Sequence, residues 1–389
     1  MRQLLAENLR KRWEKPNNLV QVFLGPRQVG KTTTALELAP EHSTLFFSAD
    51  SPSPPAASEI EQAWLGAREI KSDDRTLVLD EIQKVPGWSE VVKKLWDEDR
   101  RLKLELRVAL LGSSALLIEK GLSESLTGRF EINFFPHWTY GEVRETFGAS
   151  IDDFLRLGGY PKAYSMLDDV ERATSYIELS ILEPTLGRDI LSLHSIDKPA
   201  LLRQLFWYVS KRPAQIVSFQ KILDHLQDRG NSATLSHYAE LLSLAFLVVP
   251  IYKYSKQTHR TKRSLPKWIL PNPALVDQKI DRCGKQRGFL IENLVGGHLL
   301  NLSYGFPRAE LKYWRENNQE IDYILTDGEE PLFALEVKSG RKTAVADQGL
   351  LAAKAGIPGV PFFTVTSNTL ATFLTTTSIR EILAGRWSN

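Results

Sequence analysis

The chain has 389 residues, 42% of them apolar and 25% charged, with a formal net charge of +2. That length allows two or three domains with more than one hydrophobic core, and the composition is that of an ordinary globular protein. The single cysteine, Cys283, excludes an intrachain disulfide, no apolar run is long enough to span a bilayer, and the near-neutral charge does not by itself call for a nucleic-acid partner. The N-terminal "MRQLLAENLRKRWEK" lacks the apolar centre of a signal peptide, so a soluble cytoplasmic protein is expected.

Residues 1–150 alternate short apolar runs with helical patterns. "NLVQVFLG", "STLFFSAD", "RTLVLDEI", "LRVALLGSS" and "RFEINFFP" are predicted strands, and "WSEVVKKLWDED" is one of the helices between them. Near-continuous apolar strands alternating with helices predict an α/β domain with a parallel sheet covered on both faces. "SPSPPAAS" continues neither a strand nor a helix and is expected as a surface loop. Residues 151–200 turn helical. Within 201–280, "SFQKILDHLQDRG" and "SATLSHYAELLSLAFLV" form two helical patterns split at a Gly-Asn turn. The strand pair "LVVPIYKY" and "PKWILPN" follows, which predicts a winged helix-turn-helix. Residues 281–389 begin with a helix, "GFLIENLVGGHLL", and continue into strands.

"GPRQVGKT", from Gly25 to Thr32, fits the phosphate-loop pattern G-x-x-x-x-G-K-[ST]. It follows a predicted strand and opens a predicted helix, which is the context a phosphate site needs. Gly25 and Gly30 free the backbone to wrap phosphate oxygens, and the amides of Pro26–Thr33 that carry hydrogen face the ligand together with the helix N-terminus. Pro26, Arg27, Gln28, Val29 and Thr33 complete that loop. Lys31 is placed to reach the β- and γ-phosphates, and Thr32 to hold Mg²⁺. In "TLVLDEIQ" four apolar positions end in Asp80 and Glu81 at the carboxyl edge of the sheet, where ligands bind in open α/β folds. Asp80 is expected to support Mg²⁺ and Glu81 to activate water. Ser113 and Ser114, after the next strand, either sense the γ-phosphate or are turn serines. Arg129, before the fifth strand, is either an arginine finger acting on a neighbouring subunit of a homo-oligomer or an ordinary salt-bridge residue.

These stretches, with "LTGRF", "LGGYPKA" and "GFLIENLV", resemble the prokaryotic AAA+ ATPase family that carries a C-terminal domain of unknown function. The resemblance implies ATP rather than GTP, a sheet order of 5-1-4-3-2 and a helical lid. Lys162 of "GGYPKA" is the candidate for a lid residue that contacts phosphate.

Between Ile251 and Lys267 stand six basic residues and no acid: Lys253, Lys256, Arg260, Lys262, Arg263 and Lys267, with Tyr252 and Tyr254 among them. A basic hairpin beside a helix-turn-helix suits a phosphate backbone, so duplex or branched DNA is the expected partner. The plainer alternative is a solvated loop.

In "ALEVKSG", Glu336 and Lys338 project from one face of a strand, and "QEIDYIL" places Asp322 on the preceding strand of the same hairpin. Glu292 lies on the helix before them. Paired carboxylates make a hard oxygen site for Mg²⁺ or Mn²⁺, and a lysine beside them can activate water. The order helix Glu, strand Asp, Glu-x-Lys resembles the PD-(D/E)xK nuclease superfamily. A restriction-endonuclease-like α/β domain with Glu292, Asp322, Glu336 and Lys338 as its site is therefore expected. Glu320 is a rival to Asp322 and faces the same side, and Glu310 is a further ligand candidate. The resulting expectation is an ATP hydrolase that binds DNA and couples turnover to a nuclease-like domain. The alternative is an ATP-driven switch or DNA remodeller whose last domain only docks.

Overall fold

The computed structural model describes residues 3–13, 19–51, 53–112, 125–193, 196–226, 230–256, 264–282, 284, 286–304, 306, 308–317, 319–338 and 348–388. Two compact units divide the chain, Met1–Phe135 and Pro136–Asn389.

In the first unit the strands are β1 (Val20–Leu24), β2 (Thr44–Ser48), β3 (Thr76–Asp80), β4 (Arg107–Gly112) and β5 (Phe130–Phe134). They form a parallel sheet in the order β2-β3-β4-β1-β5, which is the order that the family resemblance implied. Burial follows position. β1 is buried throughout and β3 and β4 nearly so, while the edge strands β2 and β5 are mostly half-exposed. The helices Ala57–Arg68 and Trp88–Leu102 supply Ile60, Trp64, Val92 and Leu95 to the core beneath Leu77, Leu79 and Leu110. A parallel sheet built this way sets the carboxyl ends of β1 and β3 side by side with only β4 between them.

The second unit opens with helical segments and reaches the helix Pro199–Ser210, then an extended piece at 214–217 that lies along β7. Two helices follow, Phe219–Leu223 and Ser232–Leu244, each capped by a side chain: Ser218 accepts from the Lys221 N–H, and Asn231 accepts from the Thr234 N–H. The hairpin strands β6 (Val249–Lys253) and β7 (Lys267–Ile269) come next.

This hairpin is not a free-standing pair. β6 also runs parallel to β8 (Ala309–Glu316), with Tyr252 beside Lys312 and Lys253 beside Tyr313. Among the described residues one sheet therefore runs β11-β10-β9-β8-β6-β7, crossing the boundary expected near residue 280. Its remaining strands are β9 (Gln319–Asp327), β10 (Glu330–Lys338) and β11 (Phe362–Thr366). The helix Arg287–Ser303 precedes β8, and the helix Gln348–Lys354 separates β10 from β11.

Asparagines fasten the segment after β7. Asn293 accepts the N–H of Leu270 at 2.9 Å and donates to its carbonyl at 3.0 Å, replacing a missing strand neighbour. Asn301 donates to the Pro271 carbonyl at 2.9 Å. Asn272 accepts from the Gly159 N–H at 3.0 Å, inside "GGYPKA", which explains why that motif lies close against this segment. On the sheet side, the Tyr323 hydroxyl donates to the Glu292 carbonyl at 2.7 Å. A Cβ at Gly296 would lie 2.5 Å from that hydroxyl, so only glycine admits the ring. Together these bonds set the helix Arg287–Ser303 at a fixed height over β7 and β9.

Asn293→Ala leaves both backbone groups of the fully buried Leu270 without partners. The expected loss is about 2–4 kcal/mol of unfolding free energy, read from the urea midpoint. A loss below about 0.5 kcal/mol contradicts this assignment.

Candidate functional site

The loop after β1 turns through the left-handed region twice, at Gln28 (φ 63°) and Gly30 (φ 93°), before the helix Lys31–Leu38 begins. Gln28 is not a glycine, so the conformation costs on the order of 1 kcal/mol and is held by its surroundings. Gly25 and Gly30 serve different ends. Gly30 carries the positive φ with open space around it. Gly25 lies against the end of β5, where a Cβ would sit 2.0 Å from the Phe135 carbonyl oxygen. The sequence assigned both to phosphate access, and packing accounts for Gly25. Pro26 and Val29 are buried, Arg27 is half-buried, and Gln28 and Thr33 are exposed.

Lys31 is buried, and its ammonium donates to the carbonyls of Gly25 at 2.9 Å and Pro26 at 2.7 Å. Burial lowers its pKa to about 8, although Glu81 and Asp80 act in the opposite sense. The unfolded chain holds more protons here between about pH 8 and pH 10.5, so apo stability from this group rises over that interval. A buried cation whose hydrogen bonds go to neutral carbonyls is a site in want of an anion.

Asp80 ends β3 and faces Thr32, whose hydroxyl lies 3.4 Å from its Oδ2. Its Oδ1 accepts the Glu81 N–H at 3.1 Å. Burial, then the neighbouring Glu81, raises the Asp80 pKa, with Lys31 opposing. Glu81 itself takes φ 50°, and its Oε2 accepts from Gln83 Nε2 at 2.6 Å. Hydroxyl and carboxylate so placed are the hard oxygen donors that Mg²⁺ requires, and Thr32 and Asp80 fit that ion. Gln83 was not singled out in the sequence, although it is the fourth letter of "DEIQ".

Arg129 is engaged within its own unit. Its Nε donates to Asp97 Oδ1 at 3.0 Å, a second nitrogen lies 3.4 Å from Asp97 Oδ2, and the guanidinium stands 5.3 Å from the Trp96 ring centroid. Of the two readings open in the sequence, this geometry is the salt bridge. Ser113 and Ser114 lie outside the described residues. Lys162 is exposed at the start of the turn Pro161–Met166.

The second cluster departs most from expectation. Glu292, Glu320 and Asp322 converge, with one carboxylate oxygen of each within 4.8 Å of the others. Glu320 is thus a full member beside Asp322. In their midst is Lys267, assigned from the sequence to a DNA-facing wing. That assignment is corrected here: its side chain is 0% exposed and its ammonium is bound to Glu292 Oε1. The same nitrogen lies 3.3 Å from Glu320 Oε1, 3.2 Å from the Asp322 carbonyl and 3.9 Å from Asp322 Oδ1. It stands 4.9 Å from the Tyr323 ring centroid, within cation–π range. Burial disfavours the ammonium, but Glu292, Asp322 and Glu320 outweigh it and hold the pKa above the ordinary lysine value. Burial likewise raises Glu292 and Asp322, against the pull of Lys267.

Glu336 and Lys338 share a strand face as expected, with 3.3 Å between Nζ and Oε2. They stand beside the acid cluster. Asp322 Oδ2 turns toward β10 and accepts the Val337 N–H at 2.7 Å. Burial raises the Glu336 pKa and Lys338 opposes it. Glu310 pairs with Lys312 at 2.8 Å on β8 and is no part of the cluster. Of the remaining basic residues, Lys253 pairs with Glu316 at 2.9 Å, Lys256 is exposed, and Arg260, Lys262 and Arg263 lie outside the described residues. A buried ammonium thus lies among the oxygens of Glu292, Glu320 and Asp322.

Comparison with known proteins agrees on the first unit. Residues 17–143 match a family described as an AAA domain. Residues 148–282 and 287–368 match two domains of unknown function, DUF8612 and DUF4143. An uncharacterized protein of Haemophilus influenzae is 24% identical over 66% of this chain, and the aligned part is 64% of that protein's own length. An uncharacterized protein of Mycobacterium tuberculosis is 24% identical over 94% of this chain and 83% of its own. A solved structure, a Walker-type ATPase of Pyrococcus abyssi, covers 71% of this chain and 94% of itself with a TM-score of 0.50 and 15% identity. Sheet order, phosphate loop and family match together define an AAA-type P-loop ATPase fold, followed by C-terminal domains of unknown function. No helix among the described residues is long and apolar enough to cross a membrane.

The two loop glycines are separable by experiment. Gly25→Ala, which drives a Cβ into a backbone carbonyl, is expected to lower the melting temperature by several degrees. Gly30→Ala, which meets only the φ penalty of about 1–2 kcal/mol, is expected to lower it less. Equal shifts by scanning fluorimetry contradict the packing role of Gly25.

Proposed function

We propose that the protein is a Mg²⁺-dependent ATP hydrolase whose turnover is coupled to DNA held by its second unit. The observation that carries the hydrolase reading is the buried Lys31 ammonium, bonded among the described residues to carbonyls of its own loop, beside Thr32, Asp80 and Glu81. On nucleotide entry, Lys31 exchanges those carbonyls for β- and γ-phosphate oxygens, a stronger charge-assisted pairing. The loop amides and the N-terminus of the helix Lys31–Leu38 add their partial positive charge. Thr32 and Asp80 are the residues that would hold Mg²⁺, which supplies charge neutralisation at the phosphates when bound. Glu81 leaves Gln83, accepts a proton from the attacking water and so raises its nucleophilicity. Asp80 keeps Glu81 oriented through the Glu81 N–H.

The DNA part of the reading rests on the order of elements in the second unit. The helix Pro199–Ser210, the extended piece at 214–217, the helices Phe219–Leu223 and Ser232–Leu244 and the β6–β7 hairpin follow the order of a winged helix-turn-helix. The exposed Lys256 begins the basic segment that continues through Arg260, Lys262 and Arg263. Lys267 is buried among acids and Lys253 pairs with the exposed Glu316, and both are left out of this surface.

Phosphate release from purified full-length protein tests both parts. Lys31→Ala is expected to abolish ATP binding. Glu81→Gln is expected to keep binding and lose turnover by about 100-fold or more. Duplex, forked or junction DNA is expected to change the turnover rate at low salt, and the effect should fade as salt rises. A folded protein that neither binds nor splits ATP ends the hydrolase reading. Turnover indifferent to every DNA, with no DNA affinity, ends the coupling.

A further inference from the structure

We propose that the acid cluster of the C-terminal sheet is closed to metal ions by the protein's own lysine: Lys267 stands where a divalent cation would stand among Glu292, Glu320 and Asp322, and locks the hairpin to the helix and the sheet.

The geometry of the ammonium is that of a bound ion. One nitrogen meets the carboxylates of Glu292 and Glu320 and the carbonyl of Asp322, with the third carboxylate's oxygen, Asp322 Oδ1, 3.9 Å away. These come from the helix Arg287–Ser303 and from β9, while the lysine comes from β7. The fourth side is the face of the Tyr323 ring. A Mg²⁺ or Mn²⁺ ion draws oxygens to about 2.0–2.2 Å and keeps waters on the remaining positions. An ion cannot enter the same space without expelling the ammonium.

Expulsion is opposed by the backbone. Lys267 is paired on both sides, with Ile251 of β6 and with Ile216 of the extended piece. Its neighbours Trp268, Ile269 and Leu270 are fully buried, and the Trp268 indole donates to the Val217 carbonyl at 2.9 Å. Moving the ammonium out requires either a side-chain path through buried surroundings or unpairing of β7. Two of the acids are held in place as well. Asp322 is tied to the Val337 N–H, and Glu292 is carried by a helix that Asn293 and Tyr323 fasten on both sides.

Of the nuclease-like pattern, Glu292 and Asp322 thus lie with Glu320 around Lys267, while Glu336 and Lys338 pair with each other beside them.

Binding of Mn²⁺ to nucleotide-free, full-length protein, followed by the electron paramagnetic resonance signal of the free ion, tests it. Wild type and Glu320→Gln are expected to give the same titration, because no ion uses Glu320. Lys267→Met, which keeps the volume and removes the charge, is expected to gain one site, at least tenfold tighter than any wild-type binding and lost again in Lys267→Met/Glu320→Gln. A wild-type site that Glu320→Gln weakens overturns the proposal, as does a folded Lys267→Met that gains none. Should Lys267→Met fail to fold, wild type against Glu320→Gln decides alone: identical titrations support the proposal and a difference overturns it.

Discussion

A buried lysine must find an anion, lose its proton or be stabilised by dipoles, and this protein uses two buried lysines in opposite ways. Lys31 sits under the phosphate loop with two carbonyls as its hydrogen-bond partners, and burial lowers its pKa to about 8. Lys267 sits among three carboxylates, and their charge raises its pKa despite complete burial. The first is prepared for a ligand that brings negative charge. The second already has its counter-ions, and the elements that carry them are held together by it. One ammonium is an incomplete site and the other a completed one.

The difference comes from where each lysine is placed in the fold. Lys31 is the first residue of its helix, at the carboxyl end of β1, where a parallel sheet leaves a crevice open to ligands. Lys267 opens a three-residue strand at the edge of a mixed sheet, covered by the helix Arg287–Ser303. Breaking a buried pair of this kind by removing one partner costs about 3–5 kcal/mol, whereas replacing the whole group by apolar residues need not.

Much of the first unit was legible in the sequence because its signals are local. Each predicted strand was a short apolar run, and the phosphate loop announced itself by spacing and by its position between strand and helix. The carboxylates of the second unit were legible as well, since strand parity alone sets Glu320 and Asp322 on one face. Lys267 was misjudged because charge counting along a segment cannot see a partner on another element. One sign was available: "PKWIL" places that lysine inside an apolar run, unlike Lys256, Arg260, Lys262 and Arg263. For Arg129 the salt bridge was one of the two readings left open, and its partner Asp97 could not be named because it is on a separate helix. The role of Asn293 was not legible either, for a buried asparagine in a helix says nothing of the distant backbone it serves.

The central claim is that the Lys31 ammonium waits for phosphate, and proton linkage tests it most directly. At pH 9 a lysine with a pKa of about 8 is mostly neutral, and pairing with a polyphosphate restores its ordinary value. Calorimetric titration of ATP at pH 9, in buffers of differing ionisation enthalpy, is expected to show uptake approaching one proton per nucleotide bound, falling to about a tenth at pH 7. Binding without proton uptake at pH 9, or with proton release, would contradict the account.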